Sequence, residues 1–485
     1  MDWTLHHAAP ARPGPSEMSR QIVVIGAGVG GLSGAVRLAR SGFAVTVLEA
    51  REEPGGLASE ASYDGFSFDA GPYILLDRPG LEWSFEALGL DLTAEVHLIR
   101  IDDVYEVESL DGSKVVFYSD VEKTAGGFEL KWPGSAKPYK KFVRKMERIS
   151  RALRPMLQVS RPGALGLIRS GAWLHAPFLV RSLAAVLSDS GLPRPIVEAM
   201  AIWTHVAGQT KSQAPSPLAF VPALMHSVGP YYPKGGIRCI PQVLEQAAIA
   251  AGVRFRYSTK VTRIRTKDCS VLGVETERGE FIPAAALLSN SAALQTYLQL
   301  LDSPAPALTK RLATLPLQSP GVCAYLAVRG RVTPPYLAFK LGEGNQRCRL
   351  LIRASLFDSQ VMDGYVPARL LAPMDYAEAE RVGPAGQASY LDQLLEEDWW
   401  RRDLDDFRVL AKRTAEQWGT QYHLYANSMN PVMTGKFMRQ GRVPHRSPHV
   451  RGLYLAGSST HPGQWVSFCA ISGILAADCL IKDLN

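Results

Sequence analysis

The segment Ile22-Val-Val-Ile-Gly26-Ala-Gly28-Val-Gly30-Gly31 restricts what this chain can fold into more than any other. Residues 22–25 are four apolar side chains in a row, the pattern of a parallel strand buried on both faces. Gly26 makes a tight turn, Gly28 lets the backbone approach a pyrophosphate, and Gly31, after Gly30, lets the following helix pack close to the strand. That helix aims its N–H groups and positive dipole end at the phosphates. Its Leu32, Ala35, Val36, Leu38 and Ala39 suit burial on a sheet, and Gly42 ends it. A second strand over 44–48 delivers Glu49, close to the roughly 20-residue spacing of an acid that binds ribose hydroxyls. An acid there serves NAD and FAD alike, so this motif by itself leaves the dinucleotide open.

The other end of the chain narrows the choice. Leu453-Tyr-Leu-Ala-Gly457-Ser458 reads as another buried strand and glycine turn, and Gly463 and Gln464 are expected to open a helix through Trp465, Val466, Ala470, Ile474 and Ala477. A helix N-terminus aimed at the pyrimidine edge of a flavin stabilises negative charge there when the ring is reduced. After Glu49, Ala50 and Arg51 lead into Pro54-Gly55-Gly56-Leu57, where adjacent glycines permit a turn at positive φ with a ligand close by. Tyr63-Asp-Gly-Phe-Ser-Phe-Asp-Ala-Gly71-Pro72-Tyr73 follows.

Over 21–72, 232–290 and 425–485 these segments together resemble the phytoene desaturase and carotenoid isomerase branch of the flavin amine oxidase superfamily. The Ser459-Thr-His-Pro-Gly463 stretch is similar to that of bacterial-type phytoene desaturases. Pro462-Gly463-Gln464, with Ser472-Gly473 downstream, is also similar to carotenoid cis-trans isomerases. The resemblance implies FAD, held by Gly26, Gly28, Gly30, Gly31, Glu49, Ala50, Arg51, Gly55, Gly56, Leu57, Gly71, Pro72, Tyr73, Gly457, Ser458, Gly463, Gln464, Trp465 and Val466. It also implies that the Val261 backbone packs against the adenine. Two departures bear on the substrate. Gly457-Ser458 stands where the family commonly has Gly-Asp, Gly-Glu or Gly-Ala, and Trp465 and Phe468 are bulkier than the small residues usual in the desaturases. These two rings face either the flavin or the core.

The activity implied is desaturation of a lipophilic polyene, isoprenoid or related natural product by hydride transfer to flavin N5. The alternatives are a cis-trans isomerase that uses reduced FAD and an oxidase of amines, with a non-enzymatic flavin-bound protein as a fourth reading. No clear base stands out. His461, His205, His423 and Glu198 are the candidates, His461 foremost because it sits inside the flavin loop. Oxygen and a membrane quinone are both open as electron acceptors, and the oligomeric state is left undetermined.

Charge is distributed unevenly within a net +7. Lys137, Lys140, Lys141, Arg144, Lys145, Arg148, Arg151 and Arg154 stand against one acid, Glu147. No acid occurs over 155–188, where Leu165, Leu167, Ile168, Trp173, Leu174, Phe178, Leu179, Leu183, Val186 and Leu187 are apolar. Basic residues beside a Trp-containing apolar stretch are what attachment to a membrane surface needs. A helical lid over a substrate cavity is the other reading. Nucleic acid is disfavoured because no recognition motif accompanies the charge.

The six cysteines form neither CxxC nor a metal-ligand cluster, so buried reduced thiols, no metal site and a cytoplasmic setting are expected, with attachment to the inner membrane face the further option. No apolar run is long enough to span a bilayer. Residues 1–19 read as a disordered tail without a secretory h-region.

The expected fold is α/β. A Rossmann-type, three-layer β/β/α FAD domain is assembled from 20–80, 232–300 and 448–485. A mixed β-sheet substrate domain takes 81–130 and 301–447, and a helical lid or membrane-facing subdomain takes 131–231. Within this scheme 253–261 reads as one strand, 262–265, 271–276 and 281–288 as a small meander, and 394–410 as an amphipathic surface helix.

Overall fold

Residues 22–25 form a strand with nothing but apolar side chains to offer, and the chain surrounds it on both sides. A computed structural model describes residues 21–485 except 164–165, 167, 169–170, 343–347, 358–359 and 441. The expected tail at 1–19, and Leu165 and Leu167 of the apolar stretch, lie outside the described residues. The strand Gln21–Ile25 is central in a five-stranded parallel sheet. Its neighbours are Ala286–Ser289 on one side, followed by Leu453–Leu455, and Ala44–Leu48 on the other, followed by Arg254–Arg256. Three distant parts of the sequence therefore build one sheet, as an α/β flavin fold requires.

The helix Val29–Arg40 covers one face and packs against the last helix, Val466–Leu484. The contact is made backbone to backbone. A Cβ built on Gly473 would stand 2.0 Å from the Gly30 carbonyl oxygen, and one on Gly34 would stand 2.3 Å from Leu288 Cδ2. Gly473 cannot hold a side chain without moving the helices apart, and a Cβ on Gly34 would press on Leu288 of the sheet and stand 3.2 Å from the Gly473 carbonyl oxygen.

Two strand readings are corrected. The run 281–288 is two strands: Phe281–Pro283 completes an antiparallel meander with Val261–Lys267 and Ser270–Thr276, whereas Ala286–Ser289 enters the parallel sheet. Burial explains the split, because alternation at 281–283 gives way to four consecutive buried residues at 286–289. Likewise 253–261 divides into the parallel strand Arg254–Arg256 and the first residue of the meander. The turn between them is tied to the nucleotide loop, with Ser258 N–H donating to Arg51 O (2.9 Å) and Thr259 N–H to Glu49 O (2.8 Å).

A seven-stranded mixed sheet takes strands Asp103–Glu108 and Lys114–Tyr118 from early in the chain and five strands between Val322 and Arg413 from late in it. The expected helix at 394–410 is the end of the helix Tyr376–Glu396, a short 3₁₀ turn and the edge strand Leu404–Arg413. Trp400 is buried beneath it, its Nε1–H donating to Leu394 O (3.1 Å), so the turn is pinned to the core rather than left on the surface. Two arginines join this sheet to the dinucleotide part. Arg369 donates to the Asp69 and Gly71 carbonyls, and Arg413 donates to Tyr63 Oη (2.8 Å) while packing on the rings of Tyr325, Trp418 and Tyr422.

The segment after 131 is helical. The helix Ala136–Leu153 turns Tyr139, Phe142, Val143, Met146 and Ile149 into the core and leaves Lys141, Arg144, Lys145 and Arg148 exposed. Its apolar stripe is therefore spent on packing. The exposed apolar side chains follow it, with Ile168, Trp173, Leu174 and Val180 each more than half exposed. No helix among the described residues is long and apolar enough to cross a membrane. None of the six cysteines is in a disulfide; contrary to expectation they are not uniformly buried, Cys269 being exposed.

The backbone contact at the first and last helices carries a prediction. Gly473→Ala should cost about 1–3 kcal/mol through overpacking and lower Tm by several degrees. A melting curve superimposing on wild type would show that the helices have room to spare.

Candidate active site

The loops at the carboxyl ends of the parallel strands enclose one cavity of about 470 Å³. On the N-terminal side, Gly26 (φ +92°) turns the chain off its strand, and Gly28, at the N-cap of Val29–Arg40, has no side chain to cap it. The first-turn N–H groups of that helix therefore face the cavity mouth without intrahelical partners. Glu49 accepts from Ala27 N–H (2.6 Å) and Arg51 N–H (2.9 Å). Burial pushes its carboxyl upward, and those N–H groups oppose the shift. Gly55 N–H donates to Ala27 O (2.8 Å), and Arg51 reaches Gly56 O (3.1 Å) and Ser59 Oγ (3.0 Å), so the glycine pair after the acid is tied to the phosphate loop.

On the C-terminal side, Gly457 (φ +91°) donates its N–H to Ser472 Oγ (3.0 Å) and accepts from Thr460 Oγ1 (2.8 Å). Ser459 Oγ accepts from Ala293 N–H (2.8 Å). The helix expected from Gly463 begins at Val466 with Trp465 at its N-cap. Trp465 lines the cavity, and Phe468 stacks behind it with centroids 4.9 Å apart. One ring of the pair faces the cavity and the other backs it.

Of the residues expected around the cofactor, Gly26, Gly28, Gly30, Glu49, Ala50, Arg51, Gly55, Gly56, Leu57, Gly71, Pro72, Tyr73, Val261, Gly457, Ser458, Gln464, Trp465 and Val466 line this cavity. Gly31 and Gly463 do not: a Cβ on Gly31 would stand 2.0 Å from Gly26 O, which makes it a packing glycine, and Gly463 lies against Phe468 and Arg442.

The histidines are dispersed. His423 lines the cavity beside Tyr422 and Lys260, at the Glu49 and Val261 end, where the adenosine half of a dinucleotide would lie. His205 and His461 are not on the lining, and Glu198 is paired with Lys211. His461 Nε2–H instead donates to Met156 O (2.8 Å). Its own carbonyl accepts from His445 Nε2–H (2.8 Å), which leaves His445 Nδ1 to accept from Ser160 Oγ (2.8 Å). Arg154 adds a third tie, its Nη1 donating to Asp77 Oδ1 (3.3 Å), while Ser467 Oγ donates to Asp77 Oδ2 (3.0 Å). His445, Asp77 and Arg154 carry no local motif in the sequence. Asp77 meets Arg154, and His445 meets Ser160, only when the segment 154–160 is laid across the flavin loop.

Burial lowers the His445 and His461 pKa values to about 4. Between pH 6.5 and 4 the unfolded chain then binds more protons than the folded one, so stability falls as pH falls through that window. Each histidine withdraws about 3 kcal/mol over the range. His461→Gln, which keeps a donor for Met156 O, should make the fall in denaturation midpoint between pH 7 and pH 4.5 visibly shallower. An unchanged slope would show that His461 is already charged in the folded protein.

The donor set fits a flavin dinucleotide: glycines that admit phosphate, open helical N–H groups, a buried carboxylate for ribose hydroxyls and a second helix N-terminus beside the apolar wall. Fold and site thus define a dinucleotide-binding oxidoreductase of the two-domain flavin type. A family model described as flavin containing amine oxidoreductase matches residues 29–481, and this chain belongs to that family. It is an FAD-dependent oxidoreductase, as the sequence resemblance implies.

Among curated relatives, it is 29% identical to a zeta-carotene-forming phytoene desaturase of Myxococcus xanthus, over 96% of this chain and 95% of the relative. It is 25% identical to a 4,4'-diapolycopene oxygenase of Methylomonas sp, over 97% and 100% respectively. Among solved structures, an oxidoreductase from Methanosarcina mazei shares the fold with a TM-score of 0.66 and 18% identity, covering 93% of this chain and 98% of that one. A putrescine oxidase shares it with a TM-score of 0.62 and 16% identity, covering 96% and 99%.

Proposed function

We propose that this chain desaturates a lipophilic polyene or related isoprenoid. The observation that carries the reading is the composition of the cavity wall beyond the cofactor cradle. Ile74, Leu76, Trp203, Leu218, Val221 and Trp465 contribute apolar surface. Among the described lining residues the carboxyl groups are Glu49, at the ribose end, and Asp77, already paired with Arg154 and Ser467. A wall of this kind offers an ammonium substrate no free counter-charge, and burying an unpaired charge there is costly. A hydrocarbon chain meets no such penalty. The curated relatives named for carotenoid substrates support the same class.

FAD, when bound, would take up a hydride from one substrate carbon while the neighbouring carbon gives up a proton, which leaves the double bond. The protein holds the substrate C–H at the flavin face, excludes water with Trp203, Leu218 and Val221 from the helical segment, and directs the N-terminus of Val466–Leu484 toward charge that develops on the ring. Adding an acyclic isoprenoid polyene to the loaded protein without oxygen should bleach the flavin band and yield a more conjugated product. A geometric isomer formed only after pre-reduction would favour the isomerase instead. Bleaching by amines but not by polyenes would sink the polyene reading.

We further propose that the protein works on the inner face of a membrane, where such a substrate dissolves. Exposed Ile168, Trp173, Leu174 and Val180 provide an apolar patch, and Lys141, Arg144, Lys145 and Arg148 provide charge on the preceding helix. Reversing these four charges should weaken binding to anionic vesicles by tenfold or more, at about 1 kcal/mol for each basic residue near the surface. Equal binding of wild type and variant would assign the segment to lid duty alone. Oxygen or a quinone in that membrane takes up the electrons, and reoxidation by quinone-loaded vesicles under anaerobic conditions separates the two.

A further inference from the structure

Asn290 follows the strand Ala286–Ser289, which lies between Gln21–Ile25 and Leu453–Leu455 in the parallel sheet. Strand order therefore places its side chain between the loop that starts the chain's dinucleotide site and the loop that ends it. Its backbone N–H is fixed on Ile25 O at 2.8 Å. Its side chain is the feature that several glycines make room for. A Cβ on Gly28 would stand 2.6 Å from Asn290 Nδ2, while Cβ atoms on Gly30 and Gly457 would stand 2.6 and 2.7 Å from its Oδ1.

This carboxamide lines the cavity, is half-buried, and makes no side-chain hydrogen bond among the described residues. Its two donor hydrogens and its acceptor oxygen are therefore open to the cavity and available to a ligand. In open α/β sheets the ligand lies at the carboxyl ends of the strands, which is where Asn290 stands.

We infer that Asn290 is a ligand of FAD: its Nδ2–H donates to the pyrophosphate on the Gly28 side, and its Oδ1 accepts from a ribityl hydroxyl on the Gly457 side. Phosphate oxygens only accept and the ribityl hydroxyls also donate, so the two ends of one carboxamide match the two parts of the cofactor that meet there. The glycines at 28, 30 and 457 then have a second purpose, keeping the space in which the amide turns toward the cofactor.

The test is FAD titration into flavin-free protein, with riboflavin, which lacks phosphate, as the comparison. Asn290→Ala should raise the FAD Kd about tenfold or more, the loss of hydrogen bonds to a charged group. Asn290→Asp, nearly the same shape, should raise it further, because a carboxylate then faces the phosphates. Its effect on riboflavin should be smaller than its effect on FAD. A role in packing alone predicts the reverse ranking, with the aspartate tolerated and the alanine not. An FAD Kd within twofold of wild type for Asn290→Asp, or equal losses for FAD and riboflavin, would overturn the assignment. Should the aspartate variant fail to fold, Asn290→Ser is judged by the same FAD-to-riboflavin ratio. In addition, the ³¹P resonances of bound FAD should shift in Asn290→Ala, and unshifted resonances would overturn it.

Discussion

Gly30 and Gly34 on the first helix face Gly473 on the last, and the two helices meet there with no side chain between them. Much of the site depends on this approach. The helix Val29–Arg40 brings the phosphate loop, and Val466–Leu484 brings the loop that holds Gly457, Ser458 and Trp465. Any spacer between the helices would draw one half of the cradle away from the other. Ala286–Ser289 is the strand between those that lead into these two loops, and this order puts Asn290 at their junction.

Buried polar ties then fasten the other parts to this cradle. Arg369 reaches from the seven-stranded sheet to the carbonyls of Asp69 and Gly71, and the Asp69 carboxylate is itself held by Ile237 N–H (2.8 Å) and Tyr232 Oη (2.9 Å). Groups of this kind cost much if one partner is removed, because the remaining charge stays buried. They therefore specify one relative placement of sheet and cradle. The segment 154–160 is fastened in the same manner through Asp77, His445 and His461, so the start of the apolar stretch is anchored to the flavin loop while the residues after it reach the surface.

The dinucleotide cradle was legible in the residues because each part is a local necessity: a buried strand, glycines where the backbone turns or approaches a ligand, and an acid at the next strand's end. Other readings failed where a local pattern had two tertiary outcomes. Residues 281–288 are apolar enough for one strand, yet Pro283 closes the meander and, after two further residues, Ala286–Ser289 joins another sheet. Residues 394–410 have helical spacing on paper, but the helix stops at Glu396 and the second half of the run pairs as an edge strand against Val322–Gly330. His461 drew notice from its place in the flavin loop, and the fold gave its ring to Met156 instead.

By itself, then, the sequence determined the cofactor class, the family and the loops that face the cofactor, since these follow from backbone geometry encoded over a few residues. Only the tertiary structure decided that Asn290 stands between the two glycine loops, that Asp77 meets Arg154, that Trp465 faces the cavity with Phe468 behind it, and that the basic helix spends its apolar face on the core. The physical reason is the same in each case. These contacts join residues far apart in the chain, and strand order and close helix packing, rather than neighbouring residues, set which side chains meet.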